Sequence, residues 1–214
     1  MSKGLIIAFE GIDGAGLTTH SKLLVERLRR DGYKVGYSKE PTWGPIGYLI
    51  RELILGEDVD QDIMALLYAA DRLWHVRHYS CLGVSLSKAL SEGYIVVIDR
   101  YKYSSIAYQS LGSDPSWIDI LNSKAPEPNI IVYIDITPEV AFRRVKERRV
   151  TYYYETVNRL SKIREQFSKA LSLAESKGVY VIKIQGLNEM GKERSIESIH
   201  EEIYSRIIRF IRQL

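Results

Sequence analysis

Cysteine is almost absent from this 214-residue chain: Cys81 stands alone, so no internal disulfide can form. Long apolar runs are missing too, and no stretch approaches the length that spans a bilayer. Nothing at the N-terminus has the pattern of a signal peptide, and the expectation is a cytoplasmic protein with no membrane partner. Charge of one sign is not in excess: 30 Lys and Arg against 27 Asp and Glu leave a net charge of +3. Such mild basicity suits an anionic small molecule but falls short of the concentrated basic face expected of a DNA- or RNA-binding protein. Glutamine, asparagine and cysteine are sparse beside isoleucine, tyrosine, arginine and lysine, a balance that leans towards a heat-adapted source. No internal repeat, low-complexity tract or Pro/Ser-rich linker divides the chain. Its length and its 45% hydrophobic and 27% charged content fit one globular domain, residues 1–214, with a substantial core.

What the chain does have begins with Leu5-Ile6-Ile7-Ala8-Phe9-Glu10-Gly11-Ile12-Asp13-Gly14-Ala15-Gly16-Leu17-Thr18-Thr19. An apolar run of strand length breaks at Gly11 into a glycine-rich turn, and a helical pattern opens at Thr18. This is the layout of a P-loop, G-x-x-x-x-G-K-[ST], over residues 11–18, whose backbone N–H groups cradle nucleotide phosphates. Candidate phosphate contacts are therefore Gly11, Ile12, Asp13, Gly14, Ala15, Gly16, Leu17, Thr18 and Thr19. The threonines stand where magnesium takes a hydroxyl, and the helix offers its positive end. One position departs: Leu17 occupies the place of the lysine that reaches the β- and γ-phosphates.

Ser21 to Arg30 carries Leu23, Leu24 and Leu28 at helical spacing and stops at Asp31-Gly32. Lys34 to Lys39 reads as a second strand, and a turn-rich segment from Glu40 to Pro45 leads into an apolar helix, Ile46 to Leu55. From Asp62 to Leu90 the pattern is helical, as one helix or two. Ile95 to Ile98, Ile130 to Ile134 and Val179 to Ile184 are apolar throughout, as strands buried on both faces are. Helical patterns occupy Pro138 to Arg149 and about Glu155 to Ser176. Ser195 to Arg212 closes the chain, with Ile196, Ile199, Ile203, Ile207 and Ile211 on one face. The expected fold is α/β, a five-stranded parallel sheet with helices on both faces and right-handed crossovers. Ligands then bind at the carboxyl ends of the strands, where Glu10, Glu40, Asp99 and Asp135 stand beside the P-loop.

Asp99-Arg100-Tyr101 directly follows the third strand. An aspartate there is placed to hold the magnesium shell, giving Thr18 and Asp99 as the candidate metal residues. Arg100 supplies a planar, permanently charged fork for phosphate oxygens. On their own, Asp99 and Arg100 also read as a strand-terminal ion pair.

Taken together, Phe9 to Gly16, Glu40-Pro41, Leu66-Leu67-Tyr68-Ala69-Ala70-Asp71-Arg72 and Asp99-Arg100-Tyr101-x-x-Ser104-Ser105-x-Ala107-Tyr108-Gln109 resemble the thymidylate kinases in order and spacing. Asp135 to Glu139 and Ser195 to Glu201 are similar to stretches further along that family. The resemblance implies the P-loop nucleoside monophosphate kinase fold with a lid at about 143–155 and acceptor-binding helices at about 44–92. It implies transfer of the γ-phosphoryl group of ATP to thymidine 5′-monophosphate (dTMP), with magnesium, and a homodimer formed through helices such as Ile46–Leu55 and Met64–Trp74.

Position by position, the resemblance puts Tyr68 against the thymine ring and Arg72, one helical turn on, at the base edge. Arg51 and Arg100 fall where the acceptor phosphate is gripped, while Ser104, Tyr108 and Gln109 read the base edge and sugar side. Glu40 belongs to the same acceptor pocket. Asp13 sits where a carboxylate approaches the 3′-hydroxyl, and Tyr154 where a tyrosine lies against the deoxyribose. By itself Tyr68 reads more readily as a core aromatic, and the basic run Arg143, Arg144, Lys146, Arg148 and Arg149 reads equally as a solvated helix face. In the family this run belongs to the lid. One of the family's two arrangements has Gly in the P-loop and basic residues in the lid, and Gly14 with this cluster matches it.

Leucine neither donates a hydrogen bond nor carries charge, and losing one donor aimed at a developing anion costs about 10²–10³ in rate. Either a lid arginine fills the place of the lysine, Arg148 or Arg149 first and Arg144 next, or the protein is slow or inactive. Because Arg72, Asp99 and Arg100 are all present, the expectation is a working kinase with a compensating cation. The alternatives are a nucleotide-binding protein of the same fold without catalysis, and a kinase for another deoxynucleotide or nucleoside.

Overall fold

The computed structural model describes residues 4–55, 59–78, 82–147 and 156–213. Cys81, Arg148, Arg149, Tyr154 and most of the expected lid lie outside these residues.

All five expected strands form, as β1 (Leu5–Glu10), β2 (Val35–Lys39), β3 (Ile95–Asp99), β4 (Ile130–Asp135) and β5 (Tyr180–Gln185). They pair in parallel in the order β2-β3-β1-β4-β5. The three inner strands are buried nearly end to end, as an apolar run covered on both faces must be. The edge strand β5 alternates buried and exposed residues instead. From β1 the chain turns towards β2, whereas from β3 it turns towards β4. The crevice between β1 and β3 is thus the topological switch point, where open α/β sheets bind ligands. Glu10 and Asp99 end those two strands.

The helices are α1 (Leu17–Arg30), α2 (Pro45–Leu55), α3 (Gln61–Arg77), α4 (Leu86–Ser91), α5 (Lys102–Gln109), α6 (Pro115–Leu121), α7 (Pro138–Lys146), α8 (Val157–Ser176) and α9 (Ile196–Ile211). The pattern from Asp62 to Leu90 is two helices, with Gly83 in the left-handed region at φ 75° between them. Helix α7 ends at Lys146, short of the expected Arg149, and α8 opens at Val157 rather than at Glu155. Helices α5 and α6 are too short to show an apolar period in the sequence. The second is marked only by Asp114 as its cap and Pro115 in its first turn.

On one side of the sheet α1 packs against α9 through Leu24, Val25 and Leu28 and through Ile199, Ile203 and Ile207. Ile196, at the start of α9, is exposed rather than part of that face. On the other side α5 packs against α8. There the fully buried Phe167 meets the edge of Tyr108 at 6.1 Å and Tyr133 at 5.4 Å between ring centroids. Among the described residues, no helix is long and apolar enough to cross a membrane.

Phe167 supports both the core and a site residue. Replacing Phe167 by Ala should lower unfolding free energy by about 3–5 kcal/mol in urea melts. A loss below about 1 kcal/mol would mean that α8 is not anchored there.

Candidate active site

Between β1 and α1 the loop turns back over the end of the sheet. Gly14 is at φ 87°, and a Cβ there would lie 2.6 Å from the carbonyl oxygen of Ala141 on α7. Only glycine permits that approach, which explains why the loop has no side chain at this point. Helices α3, α4, α6, α7, α8 and α9 each start on an Asp, Ser or Thr whose side chain accepts from a first-turn N–H. Helix α1 instead starts on Gly16, with no side-chain cap and no acid in its first turn. The N–H groups of α1 are thereby kept for an outside anion. Leu17 is 5% exposed and belongs to the core, so its side chain has exchanged the phosphate side of the loop for the hydrophobic interior.

Thr18 and Asp99 meet as the sequence indicates: Thr18 Oγ1 donates to Asp99 Oδ2 at 2.5 Å. Two further donors reach the same carboxylate oxygen, Lys39 Nζ at 2.8 Å and Tyr37 Oη at 3.1 Å. Lys39 Nζ also donates to Thr18 Oγ1 at 3.1 Å. Burial would raise the Asp99 pKa, but the Lys39 charge and the hydrogen bonds from Lys39 and Thr18 bring it below the ordinary value. A hydroxyl and an ionised carboxylate at one point are hard oxygen donors that fit magnesium. Among the described residues no group of three or more His, Cys, Asp or Glu could hold a metal. That agrees with an ion bound by one or two protein oxygens, water and substrate phosphates.

A cavity of about 280 Å³ opens beside the loop. Asp13, Glu40, Arg51, Tyr68, Arg72, Arg100, Ser104, Tyr108 and Gln109 all line it, so the candidate acceptor residues within the described chain converge on one space. Asp13 joins it to the P-loop, accepting from Arg100 Nη2 at 2.7 Å and from Tyr108 Oη at 2.8 Å. Arg100 also donates to the carbonyl of Gly11 at 2.8 Å and to Ser104 Oγ at 3.2 Å. Its φ of 67° lies in the left-handed region, which is uncommon for a side chain of this size. Arg51 donates to the carbonyls of Thr42, Gly47 and Pro41 and stacks 4.1 Å from the Trp43 ring centre. Gln109 is 6% exposed, and its amide oxygen has no hydrogen-bond partner among the described residues. A buried acceptor without a partner, on a residue that lines the cavity, is available to a ligand or to water.

Arg72 is buried but still lines the cavity. It pairs with Glu40 at 2.7 Å and donates to Ser105 Oγ at 3.0 Å and to Asn122 Oδ1. The other oxygen of Glu40 lies 2.8 Å from His75 Nδ1, and His75 Nε2 lies 2.8 Å from Ser38 Oγ. Glu40 therefore acts on the cavity by holding Arg72. Asp135 does not line the cavity and is held in a bidentate pair with Arg164, at 2.7 and 2.9 Å. Arg144 does reach the P-loop, donating to the carbonyl of Gly14 at 3.0 Å, while also pairing with Glu193. Lys39, Gln61, Met64 and Arg159 line the cavity as well and were not legible as site residues. Lys39 reaches the site only because β2 pairs with β3, and the others carry no motif.

A P-loop at the β1 switch point, the Thr18–Asp99 contact between α1 and the end of β3, and a separate arginine-lined cavity define a phosphotransferase of the P-loop kinase class. The thymidylate kinase family model matches residues 9–203, and the chain belongs to that family. It is 47% identical over 203 residues to a protein of Aeropyrum pernix named as a thymidylate kinase, covering 94% of this chain and 95% of the other. Similar proteins, also named as thymidylate kinases, come from Pyrococcus horikoshii, at 38% identity with 96% of both chains covered, and from Thermococcus gammatolerans, at 35% with 94% of both.

Beneath the site Glu10 is fully buried. Desolvation raises its pKa from 4.5 to about 7, against the opposing pull of Ser104, Arg100 and Arg72. Between pH 4.5 and 7 the folded state therefore binds a proton that the unfolded chain has released. This contribution to stability is complete below pH 4.5 and is lost as pH rises through 7. Relative to a Glu10→Gln variant, the parent should lose on the order of 3 kcal/mol of unfolding free energy between pH 4.5 and 7.5. Urea melts of both proteins at the two pH values check this; parallel behaviour would show that Glu10 stays ionised.

Proposed function

We propose that this chain transfers the γ-phosphoryl group of ATP to dTMP, giving the diphosphate and ADP, with magnesium. The observation that carries the reading is the position of Asp13. It is a P-loop residue whose carboxylate is held by Arg100 and Tyr108, both of which line the cavity. Donor loop and acceptor pocket thus share a wall, as in-line transfer between two bound nucleotides requires.

In this reading the uncapped start of α1 and the loop N–H groups take the donor phosphates. Thr18 and Asp99 hold magnesium, which when bound neutralises charge on the phosphate oxygens. Arg51 and Arg100 grip the acceptor phosphate and Asp13 approaches the sugar. Tyr68 lies on the base, with Arg72, Ser104, Tyr108 and Gln109 reading its polar edge and the sugar side. Glu40 positions Arg72. The basic run from Arg143 to Arg149 closes over the donor, with Arg144 already at the Gly14 carbonyl, and Tyr154 lies against the deoxyribose. Tyr48, Leu49, Ile63 and Leu66, on α2 and α3, are about half exposed and form the proposed homodimer face. Light scattering should give twice the chain mass, and a monomer would remove that element.

The function is tested by ADP formation from ATP and magnesium with dTMP, deoxyuridine monophosphate or thymidine as acceptor. We expect turnover, with kcat/KM highest for dTMP. Gln109→Leu breaks no hydrogen bond seen within the described residues, so it should leave stability intact while raising KM for dTMP about tenfold at unchanged KM for ATP. Leu17 favours a second reading, nucleotide binding without catalysis. ATP binding with no ADP formed from any acceptor would establish it.

A further inference from the structure

We infer that Lys39 supplies the phosphate-binding cation that Leu17 removes from the P-loop. The inference rests on the reading that the loop binds ATP. The register puts Lys39 beside Asp99 across the β2–β3 pair, and Asp99 beside Phe9 across β3–β1. The last residue of β2 is thereby delivered to the mouth of the P-loop by the sheet itself. Its ammonium bridges Thr18 Oγ1 and Asp99 Oδ2, the same oxygens that fit the metal. Its side chain is one-third exposed and lines the cavity, so it can change partner without repacking the core.

Among the described residues, the other cations that reach the loop are already committed. Arg100 is held by Asp13, the Gly11 carbonyl and Ser104 Oγ on the acceptor side. Arg144 spends its charge on Glu193 beside the Gly14 carbonyl. Lys39 has no comparable commitment once a metal arrives. A divalent ion and an ammonium repel strongly at one carboxylate oxygen, so metal binding at Asp99 drives the ammonium away from Oδ2. The nearest anions for it are then the phosphate oxygens delivered by the loop. Before nucleotide binds, Lys39 bridges Thr18 and Asp99; afterwards it carries out the charge neutralisation of a P-loop lysine from a neighbouring strand. Lysine suits this role because it is a compact point charge on a flexible stem.

The test compares the parent with Lys39→Met, Lys39→Gln and Lys39→Arg. Calorimetry measures ATP binding with magnesium and no acceptor, then dTMP binding without ATP, and steady-state kinetics follow. Lys39→Met and Lys39→Gln should weaken ATP binding in the presence of magnesium on the order of tenfold or more and lower kcat about 10²-fold. Binding of dTMP should stay within about threefold, and Lys39→Arg should keep most of the ATP affinity. Lys39→Gln retains a donor for Asp99, and with thermal melting it separates loss of charge from loss of fold. Unchanged ATP affinity in the uncharged variants would overturn the inference, as would an equal loss of dTMP binding. Since ATP binding is measured without acceptor, the test reads out even if dTMP proves not to be the acceptor.

Discussion

A guanidinium buried beside a phosphate loop is costly unless every donor finds an acceptor and the charge a partner. Arg100 has its charge partner in Asp13 and places further donors on the Gly11 carbonyl and Ser104, while a side chain one-fifth exposed leaves the rest to solvent. Burial works against its charge, yet the surrounding acidic groups more than offset it and its pKa is raised. The left-handed backbone at this residue costs about 1–2 kcal/mol and turns the side chain back over β1. Since one side chain grips both the loop and the start of α5, neither can shift without the other. The separation of the phosphate loop from the cavity is set there.

A second polar layer lies behind the acceptor cavity. Arg72 is fixed by Glu40, Glu40 by His75, and His75 by Ser38 on β2. Asp71 in turn accepts from both the N–H and the hydroxyl of Thr42, at 2.7 and 2.6 Å. Buried ion pairs of this kind add little net stability compared with apolar packing. Their effect is directional: α3 can dock on the Glu40–Thr42 turn in only one register, and Arg72 then projects into the cavity.

The strands were legible in the sequence because each is an apolar run ending in a charged or turn residue. The P-loop was legible because its glycines mark backbone geometry that other residues resist. Asp13, Thr18, Asp99 and Arg100 could be read from spacing, since each sits a fixed distance from a strand end. Lys39 could not. Its role depends on β2 lying next to β3, a fact of strand order that no local pattern encodes. Helices α5 and α6 escaped for a different reason, being shorter than two or three apolar repeats. Glu40 was expected in one pocket with Arg72 and lines the same cavity, but its position behind Arg72 arises only from tertiary packing.

The bare start of α1 has a consequence for the protein's lifetime. Six other helices carry their own caps, whereas this one leaves first-turn donors to be satisfied from outside. A ligand that binds only the folded form shifts the folding equilibrium by mass action, by about 2.7 kcal/mol at a hundredfold excess over its Kd. The occupancy of one helix terminus therefore links the concentration of its anion to the persistence of the whole fold, and a depleted pool would leave the chain more open to unfolding and proteolysis.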